Sequence, residues 1–440
     1  MIMIRKRTII TFSLLLSFIG AFLLQFSQMT SLCYYGIYPL ACLLAFICFN
    51  NIQKIEKSIE SISGIVLVAF FATSFIFGTV QGISMGVLYW LPYVYLALIL
   101  IFISPEYLST ALKIIFSTCI FIGVIQTSGI ILQVFQHDLW ESIVRMYMTN
   151  GQIQELAKRE FDGYFSGFST EVAVSAFYIV FLVLISFFRN WFSRRWMNLS
   201  TIYIVIGTYA IVLTSKRAHL LFLFGSIIIT AIISNTDMNI LRRWGKYIVS
   251  IFIGIISILF VIQHASEESS IGRIIGLFEG IAGGQKSLDE LSTGRMSLWL
   301  LAIDLFSKNP IVGIGWCNFY KHNIFQYHAH NTYLQVLCET GIVGFMFYIS
   351  FIILTMAFSV KTIRKCVILG KRDYLQVICP GFGMQCFYLF YSITGNTLYD
   401  YWYFWAYCIG VVLSSYVGAK LKEYYLSDCE TKNGINADNS

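Results

Sequence analysis

Glu171-Val-Ala-Val-Ser-Ala-Phe-Tyr-Ile-Val-Phe-Leu-Val-Leu-Ile-Ser-Phe-Phe188 decides the fold class. After its opening glutamate the stretch carries no charge. As an α-helix rising about 1.5 Å per residue, it approaches the roughly 30 Å hydrocarbon core of a bilayer. A helix also satisfies its own backbone polar groups, which lipid cannot do. Glu171 stands where a first-turn acid favours the helix start.

Similar runs recur in both directions, at about 8–27, 33–49, 62–79, 86–103, 112–135, 200–214, 217–234, 247–263, 331–358, 375–393 and 400–418. With 171–188 they make twelve spans. The fifth is long enough to tilt. The tenth is longer and carries Gly341 and Gly344, which predict a kink or a strong tilt. The expected fold is an all-α polytopic membrane protein with about 12 transmembrane helices. It forms a single helical domain over 1–423, followed by a polar, disordered cytoplasmic tail over 424–440.

Composition agrees. The chain has 440 residues, 57% hydrophobic and 12% charged, with mean hydropathy +0.72, whereas soluble domains carry about 25% charged residues. The net charge of +7 fits cytoplasmic anchoring of a membrane protein rather than nucleic-acid binding. Eleven cysteines lie mostly inside apolar runs, where they act as small hydrophobes. No CxxC pair or Cys/His metal spacing appears, so neither a disulfide framework nor a zinc site is supported. The N-terminus is basic and then apolar without a small-residue cleavage site, and reads as a retained first span.

Lysines and arginines orient the spans. With the N-terminus inside, Arg5 to Arg7, Lys54, Lys57, Lys113, Arg189, Arg194, Arg195, Arg242, Arg243, Lys246, Lys361 to Arg372 and Lys420 to Lys432 fall on the cytoplasmic side. Both termini are then cytoplasmic, and two long loops, 136–170 and 264–330, face outward. Lys216 and Arg217 break the rule, because they sit in an outer hairpin only a few residues long. They are either interfacial snorkelling cations or part of an anion site.

Three helix starts share that outer side. Lys216-Arg217 follow Thr214-Ser215, which are good N-cap types, and open the eighth span. A cation there opposes the macrodipole unless an anion is bound. Ser292-Thr-Gly294 precede Arg295, which opens a short amphipathic helix with Leu298, Leu301, Ala302 and Leu305 on one face, expected to lie on the membrane surface. Asn309-Pro310 stops it. His328-Ala-His330-Asn331 leads into the tenth span, capped by Asn331 or Thr332. Glu339 lies two turns below and needs a partner, for which an outer arginine is the natural choice. A histidine here is either an interfacial amphipathic side chain or part of a site. Taken together, cations at helix starts, an imidazole and a buried acid suit a diphosphate ligand and a proton acceptor. Phe161 to Phe168 in the first outer loop line a sugar groove or simply pack on the bundle.

At these residues the chain resembles the bacterial O-antigen ligase and Wzy-type polysaccharide polymerase superfamily. The matching pieces are Leu213-Thr-Ser-Lys-Arg217, Thr293-Gly-Arg295 with Trp299, Asn309-Pro-Ile-Val-Gly-Ile-Gly315, and His330-Asn-Thr-Tyr-Leu334 with Glu339-Thr-Gly341 and Gly344. The resemblance is strongest over about 200–360.

It implies a glycosyltransferase in the bacterial plasma membrane, with its site on the extracytoplasmic side. The enzyme moves a glycan from an undecaprenyl diphosphate carrier to an acceptor hydroxyl with inversion, without a metal, cofactor or nucleotide sugar. Carried over, Arg217 and Arg295 hold the diphosphate and His330 is the base. Lys216, His328, Asn331 and Glu339 are expected to bind diphosphate or glycan. His330 is followed by Asn instead of the Pro-rich, acid-containing motif of many ligases, which favours a polymerase joining lipid-linked repeats of O-antigen, capsule or exopolysaccharide. Its partners are then the lipid-linked oligosaccharide, membrane lipid and the pathway's chain-length regulator and flippase. A ligase with a lipid or protein acceptor, a transporter or flippase, and a membrane sugar acyltransferase are the competing readings.

Overall fold

The computed structural model describes residues 2–24, 29–47, 59–80, 91–102, 108–193, 198–235, 295–324 and 326–437. Helices α1 (Ile2–Leu23), α2 (Thr30–Ile47), α3 (Ile59–Val80), α4 (Leu91–Phe102) and α5 (Leu108–Phe135) make the N-terminal half. Two short helices follow, α6 (His137–Val144) and α7 (Asn150–Phe161). Then come α8 (Val172–Ser193), α9 (Leu199–Leu213), α10 (Arg217–Ile233) and α11 (Arg295–Lys308). The chain closes with α12 (Thr332–Ile368), α13 (Arg372–Tyr391) and α14 (Tyr401–Ala437).

Among the described residues six helices are long and apolar enough to cross a membrane, and shorter apolar helices accompany them. This is a multi-pass membrane protein. The expected ninth span, 247–263, and the loop from 264 to 294 lie outside the described residues. α14 runs to Ala437, across the tail that its polarity led us to expect disordered. Lys420 and Glu423, an i,i+3 pair 2.7 Å apart, support its polar stretch.

α8 is almost wholly buried, against α5, α9 and α13. α12, α13 and α14 pack on one another, pinned by paired hydroxyls: Tyr348 to Tyr388 at 2.8 Å, Thr355 to Tyr407 at 2.6 Å, and Ser359 to Ser414 at 2.8 Å. Lipid offers helices no hydrophobic reason to associate, so close packing and such hydrogen bonds carry the association.

The kink expected in the tenth span is a complete break. Gly341 adopts φ 62°, ψ −170° inside α12, backbone that essentially only glycine visits. In an unbroken helix, the Ile342 and Val343 amides would donate to the carbonyls of Cys338 and Glu339. Instead Ile342 N donates to Pro310 O at 2.9 Å and Val343 N to Ile311 O at 3.3 Å. The vacated carbonyls are taken by Ile314 N on Cys338 O at 2.9 Å and Gly315 N on Glu339 O at 2.8 Å. The segment Pro310-Ile-Val-Gly-Ile-Gly315 is thus inserted into the helix and replaces the hydrogen bonds the break removes, as buried backbone requires.

Candidate functional site

α9 ends at Leu213 and α10 begins at Arg217, leaving a three-residue hairpin. Thr214 and Ser215 do not cap α10. Its N-cap position is Lys216, whose own side chain makes no cap hydrogen bond, while Thr214 Oγ1 accepts from Lys216 N at 3.3 Å. Thr214 Oγ1 turns back to Ile211 O at 2.6 Å, while Ser215, at φ 57°, donates to Gly163 O at 2.6 Å. The hairpin is thereby tied to the 136–170 loop, and the positive end of the α10 dipole opens at Lys216. Arg217 opens the helix, and its side chain lies outside the described set. Lys216 Nζ stands 5.9 Å from the Tyr164 ring centre. Burial lowers its pKa, Glu171 and Asp400 work against that, and Arg295 and Arg159 add to it.

The 136–170 loop packs on the bundle through its own cluster of Trp140, Val144, Met148, Ile153 and Leu156. Gln133 Oε1 accepts from Ser166 N at 3.0 Å and Gly167 N at 2.8 Å, and Trp140 Nε1 donates to Gly167 O at 2.7 Å. Of the two readings of Phe161 to Phe168, the geometry favours packing for Ser166 to Phe168, whereas Phe161 is 92% exposed. Glu171, read as a simple helix-start acid, also holds Arg159 at 2.8 Å.

The described part of α11 opens at Arg295. Its Leu298, Ala302 and Leu305 pack on Ile314, Phe319, Ala329 and Cys338, so the apolar face covers protein instead of a membrane surface. Trp299 Nε1 donates to Ala329 O at 3.0 Å, fastening α11 to the histidine segment. Arg295 Nη1 donates to Thr394 O at 2.8 Å.

His330 precedes α12 with left-handed backbone, φ 51°. Its N–H donates to Asn396 Oδ1 at 2.9 Å, and Asn396 Nδ2 lies 3.4 Å from its Nδ1. Burial, then the positive charges of Arg295, His328 and Lys216, push its pKa down to about 4. Two of the cations read from the sequence, Arg295 and Lys216, therefore bear on one imidazole. His328 is also lowered by burial, and Gln335 Nε2 meets its Nδ1 at 2.8 Å. Asn331 caps α12 by accepting from Leu334 N at 3.1 Å, as the sequence suggested.

Glu339 is 1% exposed, and among the described residues its partners are amides and a hydroxyl in place of the expected arginine. Oε2 accepts from Cys317 N at 2.8 Å and Tyr399 Oη at 2.7 Å. Oε1 accepts from Phe319 N at 3.0 Å and Gln335 Nε2 at 3.1 Å. The loop that fills the break in α12 continues over the carboxylate and supplies two amides, so no cation is needed. Glu339 thus joins α12, the 315–319 turn and the 392–400 loop, a fastening role rather than a free binding group. Replacing it with Gln puts an amide NH2 where only donors converge. We expect the midpoint of thermal unfolding in detergent to fall, by an amount corresponding to about 1–3 kcal/mol.

The sequence pointed to no site residue in the loop from Ser392 to Asp400, which lies between the expected spans 375–393 and 400–418. This loop receives Arg295 at Thr394 O, His330 at Asn396, Thr332 Oγ1 at Gly395 O, 2.9 Å, and sends Tyr399 to Glu339. Its signal was the polar run Ser392, Thr394, Asn396, Thr397 and Asp400 between two apolar spans.

Residues 202–349 match the family model described as O-antigen ligase. The chain is also 26% identical over 114 residues to the exopolysaccharide production protein ExoQ of Rhizobium meliloti (strain 1021), across 22% of this chain and 25% of that protein. It thus aligns with about a quarter of the length of that curated relative. The resemblance read over 200–360 is borne out by these matches.

Proposed function

We propose that the chain is a membrane glycosyltransferase that elongates a polysaccharide, moving a glycan from an undecaprenyl diphosphate carrier to a hydroxyl of another lipid-linked repeat. The end of the bundle bearing Lys216, Arg295 and His330 then faces away from the cytoplasm, and both termini face it. The observation that carries the reading is the positive field of Arg295 and Lys216 at the half-buried imidazole of His330, near the start of α10 at Lys216. A dense positive field of this kind suits a diphosphate anion.

In the reaction the anomeric carbon is attacked as the carrier diphosphate leaves, and charge grows on the bridging oxygen. Arg217 and Arg295, with permanently charged planar forks, stabilise that charge, and Lys216 adds a point charge. One direct displacement inverts the anomeric centre. His330 contributes a neutral imidazole, which either accepts the hydroxyl proton or donates a hydrogen bond, according to which ring nitrogen carries the proton. His328, Asn331 and Glu339 hold the surrounding backbone.

A ligase is the second reading, favoured by the description of the matched family. The two share chemistry and differ in acceptor. A transporter fits less well, because the ionisable cluster sits at one end of the described helices and not at mid-span, where transporters place their sites. Purified protein given a lipid-linked repeat unit is expected to lengthen it. Single repeats on the surface anchor of a deletion strain mark a polymerase; full-length polymer stranded on the carrier marks a ligase. Flipping of the carrier in liposomes without elongation would remove both.

A further inference from the structure

Two amide side chains grip the segment from His328 to His330 in parallel fashion. Gln335 Oε1 accepts from Ala329 N at 3.0 Å, and its Nε2 meets His328 Nδ1 at 2.8 Å. Asn396 Oδ1 accepts from His330 N at 2.9 Å, and its Nδ2 faces His330 Nδ1 at 3.4 Å. A backbone N–H can only donate, so in each case it must meet the amide oxygen. The amide nitrogen is then the arm left for the ring, and it too only donates. Nδ1 of each ring is therefore the acceptor, and in the neutral imidazole the proton resides on Nε2.

The left-handed backbone of His330, φ 51°, is what turns its own N–H and Nδ1 toward one side chain. Asn396 is fixed in turn, 7% exposed, with its carbonyl accepting from Tyr399 N and Asp400 N, both at 2.8 Å. The second arm is long for a hydrogen bond, but the first settles which way the amide faces.

We infer that Asn396 is a positioning residue that holds His330 in its Nε2–H tautomer, so that His330 serves the transfer as a neutral hydrogen-bond donor to the diphosphate instead of as a base. This rests on the transferase reading above. A neutral N–H beside Arg295 stabilises charge developing on the leaving oxygen. The ring's burial beside Arg295, His328 and Lys216 disfavours an imidazolium there. The atoms balance without another reagent. The acceptor oxygen bonds to the anomeric carbon, the bond from that carbon to the diphosphate oxygen breaks with its electron pair, and the released diphosphate takes up the hydroxyl proton.

The test is nitrogen NMR of the full chain in detergent, labelled at histidine, with His330→Gln identifying the His330 signals. The unsubstituted protein is expected to show Nε2 protonated and Nδ1 bare. Asn396→Asp, whose carboxylate can accept from both the backbone N–H and the ring, is expected to move the proton to Nδ1 and to cut the turnover of chain elongation by about 10²-fold, as for loss of one donor to a developing oxyanion. A proton on Nδ1 in the unsubstituted protein overturns the inference, and that measurement needs no variant to fold. Full elongation by His330→Ala would overturn the donor role, whereas no elongation by the unsubstituted protein would remove the transferase reading while leaving the ring assignment standing.

Discussion

Replacing Gly341 with alanine is expected to unfold the region around the site. A Cβ at this position would lie 2.2 Å from Ile311 O and 2.5 Å from Val312 N. Both are backbone atoms of the inserted segment, held by hydrogen bonds across the break, so neither can swing aside. The backbone penalty alone is about 1–3 kcal/mol, and forcing a methyl into such a contact adds roughly another 1–3 kcal/mol. That is a large share of a typical domain's total of about 5–15 kcal/mol. Thermal unfolding of detergent-solubilised protein checks this, with Gly370→Ala as the control. Gly370 also has left-handed backbone, φ 65°, but nothing within 4 Å of its Cβ position, so only the conformational cost of about 1–2 kcal/mol applies. Equal effects at the two positions would show that the inserted segment does not depend on Gly341.

His330→Ala is expected to abolish chain growth at unchanged protein level, a loss of at least about 10²-fold. His330 lies outside the helices and contributes little to the core, so the protein should still accumulate. Arg295→Ala should cost about 10²–10³-fold and Arg295→Lys less, because charge is kept while the fork geometry is lost. Full elongation by either alanine variant would place the chemistry elsewhere.

A pH signature accompanies His330. Its folded pKa of about 4 lies below the ordinary histidine value near 6.5. Between these values the unfolded chain binds a proton that the folded chain refuses, so stability falls as pH drops through that window. Above pH 6.5 the residue adds no pH dependence. In His330→Ala the fall between pH 6.5 and 4 should be smaller, as read by thermal unfolding at pH 7 and pH 5.

Much of this was legible in the sequence, for identifiable reasons. Spans show themselves because lipid demands continuous apolar helix, and Gly341 announced a disturbance because glycine is costly in a helix interior. Lys216 and Arg217 stood out by violating the charge rule, and Arg295 by following Ser-Thr-Gly at the head of an apolar period. What composition could not show was pairing. Glu339 looked short of a cation because amides of Cys317 and Phe319, placed by the chain's path, do not appear as residue types. The loop around Asn396 was overlooked because it contributes a carbonyl at Thr394 and a single amide side chain, neither of which resembles a catalytic signature. The face of α11 was recognised as apolar, but period alone cannot say whether protein or lipid covers it.

The segment threaded into α12 has a mechanical consequence. The short upper piece of that helix, from Thr332 to Thr340, takes its register from Pro310 to Gly315 and from the 392–400 loop, not from the long piece beneath it. The top of the lower piece is bound to the same segment, through Ile342 and Val343 on Pro310 and Ile311. The insert is thus a splint laid across the break, and the footing of the imidazole depends on six residues that belong to no helix.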